Sequence, residues 1–61
     1  MIDLKTLYEQ VTMYCDFLGK EMIENFIIET YHQSETHIYV IVYWNRHTST
    51  IKSINYTIKG E

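Results

Sequence analysis

Seven consecutive residues, Ile38-Tyr39-Val40-Ile41-Val42-Tyr43-Trp44, are all apolar or aromatic, and all favour extended backbone. Side chains alternate between the two faces of a strand. Ile38, Val40, Val42 and Trp44 therefore share one face, and Tyr39, Ile41 and Tyr43 share the other. A strand with one solvated face alternates apolar with polar residues. This one has no polar face, so both sides need cover. The rest of the chain must provide that cover or leave it to a partner.

The chain has 61 residues, enough for a single domain over 1–61. A domain of this size buries only about 60% of the surface its unfolded chain exposes, so disulfides, metals or oligomerisation often supplement its core. An internal disulfide is excluded because Cys15 is the only cysteine. A lone cysteine is read as a reduced, buried thiol. The first residues form no signal peptide, and no apolar run approaches the roughly 20 residues of a membrane span. Asn55-Tyr56-Thr57 matches a glycosylation sequon, but without a secretion signal it is read as chance. The expected location is the cytoplasm, with no membrane association.

Residues 4–18 carry a helical pattern. Leu4, Leu7, Tyr8, Val11, Tyr14, Cys15 and Leu18 recur at three- and four-residue spacing, and Asp3 is placed to cap the first turn. Met13 and Phe17 fall on the back of this helix, one turn apart, and are candidates for contact with a second element or a partner. Gly19 suits the residue after a helix end. Beyond it Met22, Ile23, Phe26, Ile27 and Tyr31 form an arc opposed by Glu21, Glu24, Asn25 and Glu29. That arc predicts a second helix over about 20–31, or one long helix bent at Gly19. Phe26–Tyr31 also has the β-branched and aromatic character of a strand.

After the polar connection Gln33-Ser34-Glu35-Thr36 comes the 38–44 strand. A turn at 45–49 and a second strand over about 50–59 complete a β-hairpin. An odd loop places Ile38, Val40, Val42 and Trp44 beside Ile54 and Tyr56. It leaves Tyr39, Ile41 and Tyr43 beside Ile51, Ser53, Asn55 and Thr57. The expected fold is α+β: a helical N-terminal half, as one bent or two short helices, packed on a C-terminal antiparallel β-hairpin. The alternative is α-β-β-β with a three-stranded meander.

No catalytic constellation or cofactor-binding motif is legible. Gly19 and Gly60 are the only glycines, so there is no phosphate loop. His32 and His37 flank Glu35, but zinc sites normally draw three or four ligands at recognisable spacing, and the histidines are read as surface residues. Net charge is −3, unevenly spread. Residues 1–35 hold seven acids and two bases, −5, and residues 36–61 hold three bases and one acid, +2. Nucleic-acid binding by the hairpin would use Arg46, His47, Lys52 and Lys59 among Tyr39, Tyr43 and Tyr56. The basic footprint is weak for that role, which therefore stands second.

Tyr39, Ile41 and Tyr43, lined by Ser53, Asn55 and Thr57, have the composition of a protein interface. The expected function is a small, non-enzymatic protein–protein interaction module, an inhibitor, antitoxin-like or phage anti-defence factor that occupies a partner's surface. The expected partners are a second copy, as a homodimer, and a heterologous protein. The expected contact residues are Tyr39, Ile41, Tyr43, Asn55, Met13 and Phe17.

Overall fold

The computed structural model describes residues 3–58. It is an α+β fold of one helix, α1 (Leu4–Tyr14), followed by four strands, β1 (Asp16–Ile23), β2 (Phe26–Gln33), β3 (Ile38–Asn45) and β4 (Thr50–Ile58). The strands form one antiparallel sheet in the order β1-β2-β3-β4, a meander in which each strand pairs with its sequence neighbour. No helix among the described residues is long and apolar enough to cross a membrane.

The helix starts where the sequence places it. The Asp3 carboxylate accepts from the Thr6 amide at 2.8 Å, satisfying one orphan donor of the first turn. That bond holds the Asp3 carboxyl below its usual range. The helix ends earlier than its apolar spacing suggests. Cys15 turns to extended backbone while its amide still donates to the Val11 carbonyl.

Residues 20–31 are not helical. The same apolar residues that make a helical arc instead meet across a hairpin: Met22 pairs with Ile27 and Ile23 with Phe26, about a turn at Glu24-Asn25. Glu24 takes φ 51°, the left-handed conformation that short hairpin turns favour. Ile28, which has no place on the helical arc, pairs with Glu21 on one side and Tyr43 on the other. Gly19 is not a helix cap. It lies inside β1 at an irregularity between Phe17 and Gly19. The predicted hairpin is therefore the second half of a four-stranded meander.

The β3–β4 hairpin keeps the expected faces by an unexpected route. Asn45 pairs with Thr50, which encloses four residues, an even loop. An even loop alone would mix the faces. A register shift between Tyr43 and Trp44 adds one residue to β4 and restores them. Val42 then pairs with Ile54 and Val40 with Tyr56, while Tyr43, Ile41 and Tyr39 pair with Ser53, Asn55 and Thr57. Ile51 is the exception: it lies before the shift, pairs with Trp44 and joins the core side. The expected strand end at Lys59 lies outside the described residues.

The core lies between α1 and one face of the sheet. Val11, Tyr31, Val40 and Val42 are buried, and Tyr8, Cys15, Ile38, Trp44, Ile51 and Ile54 pack against them. The helix contacts β2 and β4 and leaves the helix side of β1 uncovered, where Phe17 is 56% and Met22 61% exposed. The molecule is only 16 Å deep in its thinnest direction, the depth of one helix layer on one sheet.

Among the described residues, Val42 is the one with no exposure at all. Val42→Ser should destabilise by about 3 kcal/mol, through a cavity and a buried hydroxyl, read as a shift in the urea midpoint. A Cβ at Gly19 meets nothing within 4 Å, and its φ is not left-handed. Gly19→Ala should therefore raise stability by about 0.5 kcal/mol, whereas a glycine helix cap would lose stability on the same change.

Candidate functional site

Two features stand out on the two faces of the sheet. On the helix side, Glu29 is a half-buried acid within the apolar run of β2. Its Oε1 atom accepts from the Tyr8 hydroxyl at 3.0 Å, the Tyr31 hydroxyl at 3.1 Å and the Trp44 indole N–H at 3.2 Å. The two hydroxyls also lie 3.2 Å apart. Each hydroxyl carries one proton, so this triangle of oxygens has three contacts and two protons to fill them. Tyr8 stands edge-on to Trp44, with ring centres 5.1 Å apart at 87°, and edge-on to Tyr31 at 6.3 Å and 81°. These are favourable quadrupole arrangements. The network joins α1, β2 and β3 through one carboxyl group.

Burial, joined by the contact with the Tyr8 hydroxyl and by donation to the Glu29 carboxylate, pushes the Tyr31 hydroxyl far above the ordinary tyrosine range. Burial also raises Tyr8, partly offset by the Tyr31 bond. Both phenols then keep their protons beyond the pH at which an unfolded tyrosine loses them. Their contribution to stability is complete below the unfolded value of 10.0 and is lost as pH rises through the folded values. Beside the network, α1 and the β3–β4 turn enclose an open groove of about 570 Å³ walled by Leu4, Tyr8, Trp44 and Ile51, with Lys5 and Glu9.

The opposite face has no helix over it. Cross-strand partners share a face, so the register places side chains there in four rows. From the turn end these are Ile23-Phe26-Asn45, Glu21-Ile28-Tyr43-Ser53, Gly19-Thr30-Ile41-Asn55 and Asp16-His32-Tyr39-Thr57. Tyr39, Ile41, Tyr43 and Asn55 thus lie together as expected, joined by Phe26, Ile28 and Thr30 from a strand that the sequence had suggested as helix. Thr30, Tyr39, Ile41 and Thr57 line a shallow depression of about 290 Å³. The Lys52 ammonium reaches over the Phe26 ring at 5.4 Å from its centre, a cation–π geometry.

Met13 and Phe17 are not neighbours on one helix. Met13 is on α1, 71% exposed, and Phe17 is on β1, its ring 5.4 Å from that of Tyr31 on the helix side of the sheet. The helix ends between them, so neither shares the Tyr43 face.

The His32 ring lies 4.7 Å from that of Tyr39, tilted by 45°, and 6.5 Å from the His37 ring. Among the described residues no three of His, Cys, Asp and Glu are grouped as a metal would require. The Cys15 thiol is half-buried, and its pKa is raised by burial and by Asp16, which makes it a poor nucleophile at neutral pH. No protein-family model matches the chain, and neither a curated protein nor a solved structure matches it.

Glu29→Ala should cost about 3 kcal/mol by leaving the Trp44 indole N–H and one of the two tyrosine hydroxyls without an acceptor, and Glu29→Gln, which keeps one carbonyl oxygen, about 1 kcal/mol. Between pH 9 and 12, roughly spanning the free tyrosine value, the wild type should lose thermal stability more steeply than Tyr8→Phe/Tyr31→Phe. Equal slopes would dismiss the two phenols as the source.

Proposed function

We propose that the protein is a small, non-enzymatic, cytoplasmic interaction module that acts by occupying the surface of another protein with the open face of its sheet. One observation carries this reading: Phe26, Ile28, Tyr39, Ile41 and Tyr43 form a contiguous apolar and aromatic patch that no described element covers. Small hydrogen-bonding groups, Thr30, Ser53, Asn55 and Thr57, are interleaved with it. Aromatic residues bring contact area at low entropic cost, and this mixture is characteristic of protein interfaces. These five side chains are half-buried among their neighbours in the sheet, and together they form a contiguous apolar surface of the kind that marks interaction sites. An inhibitor, antitoxin-like or anti-defence role would use such a face to block a partner's surface.

The nucleic-acid reading is weakened by what the hairpin cations do. The Arg46 guanidinium donates to the Glu24 carbonyl at 3.2 Å, and a His47 ring nitrogen lies 2.8 Å from the Asn25 side-chain oxygen. Both therefore brace the two turns at one end of the sheet. Lys59, the other cation of that proposal, lies outside the described residues.

Proteins captured from the native host by the immobilised wild type should be lost with Ile41→Ser and with Tyr43→Ser, although both variants remain folded. Tyr43→Ser should lower affinity at least tenfold while costing at most about 1 kcal/mol of stability, the usual range for surface substitutions. Retention of every captured protein by both variants would remove the open face as the binding surface. Binding of an oligonucleotide that falls steeply with salt would favour the nucleic-acid reading instead.

A further inference from the structure

We infer that the groove between α1 and the β3–β4 turn binds a small zwitterion with an apolar body, of the class of a free amino acid with a large aromatic or aliphatic side chain. The groove lies on the helix side of the sheet. It is therefore separate from the open face, and the inference does not rest on the role proposed for that face.

The walls select an apolar body. Leu4 and Tyr8 of α1 stand with Trp44 of β3 and Ile51 of β4 around about 570 Å³, a volume within the usual range of small-molecule sites. Tyr8 and Trp44 carry one polar atom each, and both atoms are committed to Glu29 Oε1. Glu29 does not line the groove. What the two rings offer a ligand is therefore mainly carbon. Their planes meet at 87° with centres 5.1 Å apart, which makes a corner for a flat or branched body. The bonds to Glu29 hold both rings in place before any ligand arrives, and a preorganised wall loses less entropy on binding.

The rim selects the head group. Lys5 and Glu9 are the charged residues of the lining, while Ser49 and Thr50 add only uncharged hydroxyls. Lys5 and Glu9 are one turn apart on α1, with about 5–6 Å between their Cβ atoms. No ion pair joins them among the described residues. A simple carboxylate would be attracted by Lys5 and repelled by Glu9, and a simple amine would meet the reverse. A molecule with ammonium and carboxylate on one carbon satisfies both: its carboxylate turns to Lys5, its ammonium to Glu9, and its side chain enters the Tyr8–Trp44 corner. Both charged side chains are exposed. The head group therefore contributes selection more than strength, and the apolar body supplies most of the affinity.

Trp44 is the only tryptophan in the chain, so one indole N–H resonance reports on the wall of the groove. Phenylalanine titrated into the isotope-labelled full chain should shift that resonance saturably. A ligand of about a dozen non-hydrogen atoms should show a dissociation constant on the order of 1 mM. Phenylpropionate, which lacks the ammonium, and phenethylamine, which lacks the carboxylate, should each bind about fivefold more weakly, the weight of one exposed ion pair. Glycine, which has the head group alone, should give no saturable shift. Glu9→Gln should close the gap between phenylalanine and phenylpropionate, and Lys5→Gln the gap between phenylalanine and phenethylamine. Both substitutions are at exposed positions, and circular dichroism of each variant verifies its fold. Failure of both phenylalanine and leucine to shift the Trp44 resonance at about twentyfold above the expected constant overturns the site. Shifts centred on Tyr39, Ile41 and Tyr43 in place of the groove overturn it as well. Equal binding of phenylalanine, phenylpropionate and phenethylamine overturns the zwitterion, as does a gap that survives its matching substitution.

Discussion

One short helix cannot cover both faces of a four-stranded sheet, and most of this structure follows from that limit. Eleven helical residues span about 16 Å, while the strands run about 26 Å and the sheet is about 19 Å across. The helix therefore lies over β2–β4 on one side only. Val40 and Val42 are sealed beneath Val11, while the Tyr39, Ile41 and Tyr43 side of the same strand has no counterpart to the helix. A strand with two apolar faces in a two-layer fold leaves one of them uncovered by any described element.

The covered side is held by polar as well as apolar contacts. Glu29 gathers a helix residue, a residue of its own strand and a residue of β3 onto a single oxygen. With only four buried core residues among those described, such a network also specifies the helix's position. The turns are tied in the same manner. The Arg46 amide donates to the Asn25 carbonyl at 2.9 Å, and the Asn45 side chain accepts from the His47 and Thr48 amides. The two hairpins at that end are thus braced against each other, which makes the open face a firm platform. A preorganised surface loses less entropy on association than a mobile one.

The charge division along the chain only partly becomes a division in space. Asp16 and Glu21 lie on the edge strand β1 and Lys52 belongs to the other edge strand, β4. Glu29 sits on the central strand β2, and the Arg46 guanidinium donates to the Glu24 carbonyl at the turn end.

Much of the hairpin was readable from residues alone. The 38–44 run, the polar turn after it and the cap at Asp3 follow from side-chain period and local chemistry, whereas Tyr39, Ile41 and Tyr43 meet Ser53, Asn55 and Thr57 only because a register shift offsets an even loop. Residues 16–33 were not readable in the same way. Apolar residues about a two-residue turn satisfy a helical arc and a hairpin equally, and only the availability of β3 as a pairing edge selects the hairpin. Glu29 offered a signal in hindsight, a lone acid inside an apolar strand, but its three donors come from residues 2, 15 and 21 positions away. The separation of Met13 from Phe17 likewise turns on where the helix stops. Sequence by itself determined that β3 has no polar face, because alternation is a local property of the strand. Which donors gather on Glu29, and which aromatic residues lie on the side away from the helix, were decided by tertiary structure, because they depend on pairing between strands distant in the chain.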